Sequence, residues 1–157
     1  MPNWCDCDLY VEGNKWDIEH FKDFAREGVK PLSEECFIPY PKKFRDMDEE
    51  ARLDNSLKDG FNSGGYEWCK ENWGTKWGIC EPTEPVVYPK KNKLFYAFQT
   101  AWSPPIPIIL AMSKKFERLK FTLKYYEGAN CFKGTYICKN GVVISQTDKE
   151  YRGSRGG

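Results

Sequence analysis

The sequence predicts an α+β protein of ferredoxin-like kind, with two principal helices packed on one face of a mainly antiparallel sheet and with an irregular insertion. Several segments carry an apolar residue at every second position, two segments have helical spacing, and Asn140-Gly141 is a strong hairpin signal. A length of 157 residues fits one domain with one core. We therefore expect a single domain over residues 1–150, with the insertion at about 40–70 and a flexible tail at 151–157.

The first strand and the first helix have regular patterns. Buried-type residues alternate with polar ones in the first strand, at Cys5, Cys7, Leu9 and Val11. The stretch from Trp16 to Arg26 then places its apolar residues on one stripe, with Asn14 as N-cap and Gly28 as the stop signal. We predict a strand followed by an amphipathic helix that packs on the sheet.

The pattern weakens between residues 29 and 70, where three prolines interrupt it. Cys36 to Ile38 is a candidate short strand, and Asp46 to Lys58 is charged and loosely helical. Asp59 to Gly65 is rich in glycine and small polar residues, which predicts a flexible turn. Such a segment is either a ligand lid or tolerated extra length, and the second interpretation is favoured.

Regular alternation returns from Lys93 to Trp102, where both faces are largely apolar, so we expect a central strand. The second helix follows, with Ser103 as a candidate N-cap and prolines at its opening positions, and it is predicted to end near Arg118. Three further strands are predicted, at Leu119–Tyr125, Cys131–Lys139 and Val142–Gln146.

Charge and composition exclude several classes of protein. The 24 basic residues nearly balance the 23 acidic ones, so no global field attracts nucleic acid or anionic lipid. No apolar run approaches the roughly 20 residues of a membrane span, and the N-terminus lacks the features of a signal peptide. We expect a cytoplasmic protein without membrane attachment or cofactor.

The seven cysteines are odd in number and lack the CxxC pairs of structural zinc sites. In a reducing compartment they are expected to behave as small buried apolar residues. A zinc site that includes Cys5, Cys7 and two distant cysteines is the less favoured alternative, and no metal-binding residue is predicted.

Two segments, residues 71–78 and 100–105, concentrate tryptophan beside amide, hydroxyl and ammonium groups. An extended course for the first would place Trp73, Thr75 and Trp77 on one side, where an indole could stack on a base or enclose a cation. The alternative, which the tendency of large aromatic residues to be buried favours, is that the tryptophans fill the core. The candidate binding residues are Asn72, Trp73, Thr75, Lys76, Trp77, Thr100, Trp102, Ser103, Tyr126 and Glu127.

Four blocks of the sequence, Met1–Cys5, Glu71–Gly78, Phe98–Pro107 and Lys120–Glu127, together resemble the YubB-like ferredoxin-like family found on plasmids and bacteriophages. The resemblance implies a ferredoxin-like fold without an iron–sulfur cluster, and an origin on a mobile element. It implies no catalytic residues, because that family is largely uncharacterised.

Three functions are compatible with these observations. The first is a small binding protein that occupies a host protein, for example as a counter-defence inhibitor. The second is a domain that sequesters a nucleotide-like ligand in a tryptophan-lined cleft. The third is an enzyme of unknown type, which is disfavoured because His20 lies alone on a predicted surface and because the sequence contains none of the phosphate-loop, dinucleotide or zinc-protease motifs.

Nucleic acid is a less expected partner than a host protein or a nucleotide-like ligand. The predicted strands offer Tyr10 and Phe95 with Lys120 and Lys124, but the net charge of +1 is low for a protein that binds phosphates. The sequence predicts neither the oligomeric state nor the identity of a ligand.

Overall fold

The computed structural model describes residues 2–151, which contain one six-stranded sheet and four α-helices. The strands are β1 (Trp4–Glu12), β2 (Val86–Tyr88), β3 (Lys93–Ala101), β4 (Lys120–Glu127), β5 (Phe132–Lys139) and β6 (Val142–Glu150). The helices are α1 (Lys15–Phe24), α2 (Lys42–Leu53), α3 (Gly65–Asn72) and α4 (Ile106–Lys115). Three short 3₁₀ helices lie at Glu34–Cys36, Phe61–Ser63 and Pro89–Lys91.

The strand order is β2-β3-β1-β4-β5-β6, and every neighbouring pair is antiparallel. The predicted α+β architecture with an antiparallel sheet is therefore confirmed. Strand β3 has neighbours on both sides, as the sequence predicts. Asn140 and Gly141, with φ of 51° and 70°, form the predicted tight turn between β5 and β6, because both adopt the left-handed conformation that such a hairpin requires.

The core lies between the sheet and the two helices α1 and α4. Alternate residues of β1 point into it and are fully buried, as are Ile108, Ile109 and Met112 of α4. Phe21 of α1 lies near the centre, with its ring 5.2 Å from that of Phe116 and 5.4 Å from that of Phe121. On the opposite side of the sheet, which we call the open face, the side chains of β1, β3, β4 and β5 are half-buried or exposed, except for the buried Ala101 at the end of β3.

Two local predictions between residues 29 and 70 are wrong. Cys36–Ile38 is not a strand, because Ser33 Oγ accepts from the Glu35 amide and starts a 3₁₀ helix there. The helix predicted from Asp46 to Lys58 lies earlier, from Lys42 to Leu53, and follows Pro41 directly. The segment as a whole holds α2 and α3.

The segment from Asn72 to Gly78 is not extended, which corrects a further prediction. Asn72 is the last residue of α3, and the amides of Trp73 and Gly74 both donate to the Cys69 carbonyl, at 2.8 and 3.1 Å. Gly74 has a φ of 74°, so the chain turns there as at many helix C-termini. Trp73, Thr75 and Trp77 therefore do not share one side of a strand.

Two boundaries also differ from prediction. Ser103 does not cap α4, which begins after Pro105 without a side-chain cap. Strand β6 continues to Glu150 rather than ending at Gln146, because it pairs with β5 along its whole length. Residues 152–157 of the predicted flexible tail lie outside the described residues.

Candidate functional site

Half-buried and exposed aromatic residues near the start of β1 and the end of β3 form one contiguous cluster. We call it the aromatic surface, and it consists of Trp4, Tyr66, Lys76, Trp77 and Trp102. The ring centroids of Trp4 and Trp77 are 6.1 Å apart, and those of Tyr66 and Trp102 are 6.2 Å apart. Trp77 and Trp102 keep 36% and 39% of their area accessible, which is a high fraction for a large aromatic side chain.

Lys76 joins the two halves of the aromatic surface. Its ammonium nitrogen lies 4.9 Å from the ring centroid of Trp77 and 4.6 Å from that of Trp102. These distances are within the range of a favourable cation–π interaction, which contributes about 0.5–1 kcal/mol at exposed sites. No carboxylate of the described residues forms an ion pair with Lys76, so its charge is available to an external partner.

The backbone of Trp102 adopts a strained conformation. Its φ is 75°, in the left-handed region that is unusual for a bulky residue. The Trp102 amide donates to the Asn3 carbonyl at 2.8 Å, which ties the residue to the chain just before β1. Strain of this kind persists only where neighbouring groups fix the backbone, and it is concentrated at functional sites.

Three hydroxyl groups hold the backbone around Trp102. Thr75 Oγ1 donates to the Ala101 carbonyl at 2.7 Å, and Thr100 Oγ1 donates to the Ser103 carbonyl at 2.7 Å. Ser103 Oγ donates to the Gly74 carbonyl at 2.6 Å. Thr75 and Thr100 are buried, so these residues of the predicted site support the aromatic surface from beneath.

The loop that carries Lys76 and Trp77 is anchored at its far end by Glu34. The Glu34 carboxylate is buried and accepts from the Ile79 amide at 3.0 Å and from Lys30 Nζ at 2.8 Å. Gly78 is required there because a Cβ would lie only 2.1 Å from Glu34 Oε1. The loop is therefore fixed on both sides of Lys76, which is half-buried, and of Trp77, which is exposed.

Trp73 belongs to the core rather than to the aromatic surface. Only 6% of it is accessible, its ring lies 5.2 Å from that of Trp68 and 5.8 Å from that of Tyr40, and its Nε1 donates to the Ile38 carbonyl at 2.8 Å. Asn72 also has a structural contact, since its Nδ2 donates to the Trp68 carbonyl at 3.0 Å.

The last two residues of the predicted site lie on β4. The buried Glu127 carboxylate accepts from the amides of Ala129 and Asn130, at 2.8 and 2.7 Å, and so closes the turn between β4 and β5. Tyr126 points to the open face, with its ring 6.3 Å from that of Tyr151. The structure thus brings together Lys76, Trp77 and Trp102 of the predicted set, while the others are supporting residues or lie on β4.

Sequence reasoning missed two members of the aromatic surface. Trp4 precedes Cys5 in the alternating pattern of β1 and therefore points to the open face, so the period of two could have revealed it. Tyr66 lies one turn before Lys70, whose ammonium is 5.1 Å from the tyrosine ring, but α3 itself is not evident in the sequence.

The cavities near these residues are small. A cavity of about 160 Å³ lies behind Trp77, between it and Trp73, and also touches Tyr40 and Asp48. Pockets that enclose a drug-sized ligand usually have about 300–1,000 Å³. This cavity is too small for a nucleotide.

A larger cavity, of about 390 Å³, lies beside α1 and is lined in part by Asp17, His20 and Arg118. Two of its charged groups already pair with each other, because Arg118 donates to both carboxylate oxygens of Asp17, at 2.7 and 3.0 Å. The guanidinium holds the pKa of Asp17 below its usual range. His20 is exposed and packs against Phe116, with 5.1 Å between ring centroids.

The described residues show neither a metal-binding cluster nor a membrane-spanning helix. Over residues 2–151, no three histidine, cysteine or acidic side chains are close enough to hold a metal ion. Cys5 and Cys7 are both buried on the core face of β1, and Cys7 Sγ lies 3.7 Å from Thr100 Oγ1. Among the described helices, none has the length and apolar character needed to cross a bilayer.

Comparison with known proteins identifies a family and a similar solved structure. Residues 72–155, more than half of the chain, match the family described as the ferredoxin-like domain in Api92-like protein. The chain belongs to this family. Its structure is similar to the crystal structure of protein api92 from Yersinia pseudotuberculosis, with a TM-score of 0.61 and 9% sequence identity over 98% of this chain and 99% of the other.

The family and the structural similarity confirm the predicted ferredoxin-like fold. At 9% identity the similarity to api92 shows the fold alone. No protein of curated function matches the chain.

Proposed function

We propose that this protein is a small binding protein of a plasmid or phage, and that it acts in the cytoplasm of a bacterial host by occupying a host protein. The observation that carries the proposal is the pair of exposed indoles, Trp77 and Trp102, fixed on either side of the Lys76 ammonium. The resemblance to the YubB-like family supports the mobile-element origin. A counter-defence role follows from that origin, since a mobile element gains when a host defence component is blocked.

Protein binding fits the chemistry of the aromatic surface. Tryptophan and tyrosine dominate the residues that contribute most to protein–protein affinity, because each buries a large area while losing few rotamers. Here the indoles are held in advance by cation–π contacts and by the hydrogen bonds around Trp102. Binding to a preformed surface avoids part of the entropy cost of ordering side chains.

The partner surface should combine apolar groups with a carboxylate. Trp4, Trp77 and Trp102 provide apolar area, while Lys76 presents an ammonium that lacks an ion pair among the described residues. An acidic side chain that reaches Lys76 while flanking apolar groups cover the indoles would satisfy both requirements. The same arrangement disfavours a nucleotide, because Lys76 already occupies the space between the two indoles.

Affinity capture with matched variants tests this proposal. The tagged protein would be incubated with lysate from a bacterial host, and captured proteins would be quantified by mass spectrometry for the wild type, Trp77→Ala and Trp102→Gly. Trp16→Ala is the control, because Trp16 is 84% exposed on α1, away from the aromatic surface, and its loss removes an indole of the same size. Circular dichroism would establish that all four proteins fold.

We expect one host protein to be enriched with the wild type and with Trp16→Ala, and to be reduced at least tenfold with Trp77→Ala and Trp102→Gly. The purified partner should then bind the wild type with the same dependence on these residues. A partner that is retained equally by all variants would contradict the proposal.

A further inference from the structure

A groove with a basic lining lies on the open face, across strands β4, β5 and β6. We call it the lysine groove; it has a volume of about 260 Å³ and is lined by Lys124, Tyr126, Lys133, Gly134, Thr135, Thr147 and Lys149. It shares no residue with the aromatic surface, so it can be considered independently of the proposed function.

The strand register explains why these side chains meet. Tyr126 lies opposite Lys133, and Lys133 lies opposite Lys149, which gives one row of open-face side chains across three strands. The next row consists of Lys124, Thr135 and Thr147. Directly opposed residues in antiparallel strands have Cβ atoms about 4.5–5.5 Å apart, so the rows place two or three ammonium groups within reach of one anion.

Positive charge dominates the groove. Its lining contains three lysines and no carboxylate, and within residues 2–151 neither Lys133 nor Lys149 forms an ion pair. Asp148 points to the other face, where its carboxylate accepts from the Tyr125 hydroxyl. Asp8, which lies opposite Lys124 on β1, offsets one of the three positive charges.

Like charges directly opposite each other on a sheet are destabilising. Lys133 and Lys149 therefore weaken the fold where they stand, unless an anion binds between them.

Aromatic rings accompany the lysines on the open face. Tyr126 and Tyr151 form an edge-to-face pair at one end of the groove, with 6.3 Å between centroids. Tyr10 and Phe95 form a second pair, with 5.1 Å between centroids, and Lys124 Nζ lies 5.8 Å from the Tyr10 ring. Lys124 therefore borders both the lysine groove and the second aromatic pair.

We propose that the open face binds single-stranded nucleic acid, with phosphates in the lysine groove and bases against the tyrosines. Proteins that bind single strands combine a positive groove that follows the backbone with aromatic side chains on which bases stack. The strands from β3 to β6 span about 19 Å, so several consecutive nucleotides fit. The net charge of +1 does not oppose binding, since the positive charge is concentrated on β4, β5 and β6.

Binding of fluorescein-labelled 12-nucleotide oligomers to the full chain, followed by fluorescence anisotropy at several salt concentrations, tests the proposal. The probes are oligo-dT, oligo-U, a 12-base-pair duplex and an abasic 12-mer that carries the same phosphates without bases. The variant is Lys133→Gln with Lys149→Gln. Its control is Lys90→Gln with Lys91→Gln, which removes the same charge from the exposed turn before β3.

We expect both single-stranded probes to bind, and the duplex and the abasic strand to bind at least tenfold more weakly. The Lys133/Lys149 variant should lose at least tenfold in affinity. Its slope of log K against log salt should fall by about 1.4, since each phosphate contact contributes about 0.7 for single strands. The Lys90/Lys91 control should bind like the wild type. Tyr126→Ala should lower the affinity, whereas Tyr126→Phe should retain it, because phenylalanine keeps the aromatic ring.

The proposal is overturned if neither single strand binds at low salt, or if both double variants bind equally well. Equal affinity for the abasic strand would also overturn it, because base stacking would then play no part. The proposal is also overturned if the protein binds vesicles that contain anionic lipid but binds no oligonucleotide, and if that lipid binding depends on Lys133 and Lys149. A difference in affinity between oligo-dT and oligo-U would identify the preferred type of nucleic acid.

Discussion

Trp102 combines a strained backbone with an exposed side chain. A left-handed backbone costs roughly 1–2 kcal/mol for a residue with a Cβ, yet Trp102 has a φ of 75° and keeps 39% of its area exposed. A glycine would adopt this backbone without the steric penalty. The tryptophan therefore decreases stability at this position, which is expected where a side chain has been kept for binding.

Two variants of Trp102 distinguish the effect of backbone strain from the effect of losing the indole. Trp102→Gly and Trp102→Ala remove the same indole, but only glycine relieves the backbone strain. We expect the glycine variant to be more stable than the alanine variant by about 1 kcal/mol in urea unfolding, although glycine normally destabilises a chain by gaining freedom in the unfolded state. An alanine variant as stable as the glycine variant would show that the backbone relaxes when the indole is removed.

Substitution of Trp73 is expected to lower the stability of the protein much more than substitution of an exposed tryptophan. Trp73→Ala leaves a cavity beside Tyr40 and Trp68 and removes the donor to the Ile38 carbonyl, so we expect the free energy of unfolding to fall by about 3–5 kcal/mol. Trp16→Ala, at a position that is 84% exposed, should change it by less than about 0.5 kcal/mol. Similar losses for both variants in urea unfolding would contradict the assignment of Trp73 to the core.

At the scale of elements, the position of the loop after α3 is fixed by a carboxylate that is distant in the sequence. Glu34 follows Ser33 in the 3₁₀ helix after α1, but its side chain binds the Ile79 amide, 45 residues further along. Lys30 balances its buried charge. Lys76 and Trp77 are thus positioned by a contact that no local sequence pattern reveals.

Glu34→Gln tests this anchor. The substitution keeps the size of the side chain but removes the charge that Lys30 and the Ile79 amide bind, so we expect a loss of about 1–3 kcal/mol in the free energy of unfolding. Trypsin should also cleave after Lys76 faster in the folded variant, because the loop opens locally. Glu67→Gln on the exposed side of α3 is the control. An unchanged cleavage rate after Lys76 would contradict the role of Glu34.

Strands β1, β3 and β4 were predictable because their burial has a period of two, whereas β2 was not predicted, because all three of its residues are exposed. In β1 the residues from Cys5 to Val11 alternate between buried and half-buried, as the sequence implies, and the Asn140-Gly141 turn fixes the last hairpin. Helix α3 was not predictable, because it begins with Gly65, has only 8 residues, and gains its stability from the packing of Trp68 and Cys69. The extended course expected for residues 72–78 failed for the same reason.

Composition predicted the two candidate segments, but it did not predict which of their residues are buried and which are accessible. Clustered tryptophans identified the two segments, since rigid aromatic residues on irregular backbone indicate recognition. Which indole is buried depends on tertiary contacts: Trp73 ends α3 and packs inward, whereas Trp77 lies beyond the Gly74 turn. Thr75 and Thr100 are similarly buried by a packing that is visible only in the structure.

At the scale of the whole molecule, the aromatic core makes stability sensitive to alkaline pH. Tyr96, Tyr125 and Tyr136 are almost completely buried, and burial raises the pKa of each phenol. For Tyr136, burial raises the pKa to about 12, compared with about 10 in the unfolded chain. Because the folded state retains the proton more strongly, the corresponding stability is complete below pH 10 and is lost as the pH rises towards 12.

Tyr136→Phe is expected to reduce this loss. The variant has no phenol at position 136, so its urea midpoint should fall less between pH 10 and pH 12 than that of the wild type. Tyr88→Phe, which alters an exposed tyrosine of β2, should follow the wild type. Equal falls for all three proteins would show that Tyr136 ionises as easily in the folded state as in the unfolded chain.

The sheet divides the molecule into a structural and an accessible side. Helices α1 and α4 bury one face, and the open face carries the lysine groove, with the aromatic surface near the start of β1. The central claim is that the aromatic surface is an interface formed by exposed tryptophans, while Trp73 and its neighbours only maintain the fold.

Hydroxyl-radical footprinting of the six tryptophans, with and without the captured host protein, tests that claim most directly. We expect Trp77 and Trp102 to be oxidised in the free protein and protected in the complex, Trp16 to be oxidised equally in both, and Trp73 to be protected in both. Protection of Trp16, or unchanged oxidation of Trp77 and Trp102 in the complex, would contradict it.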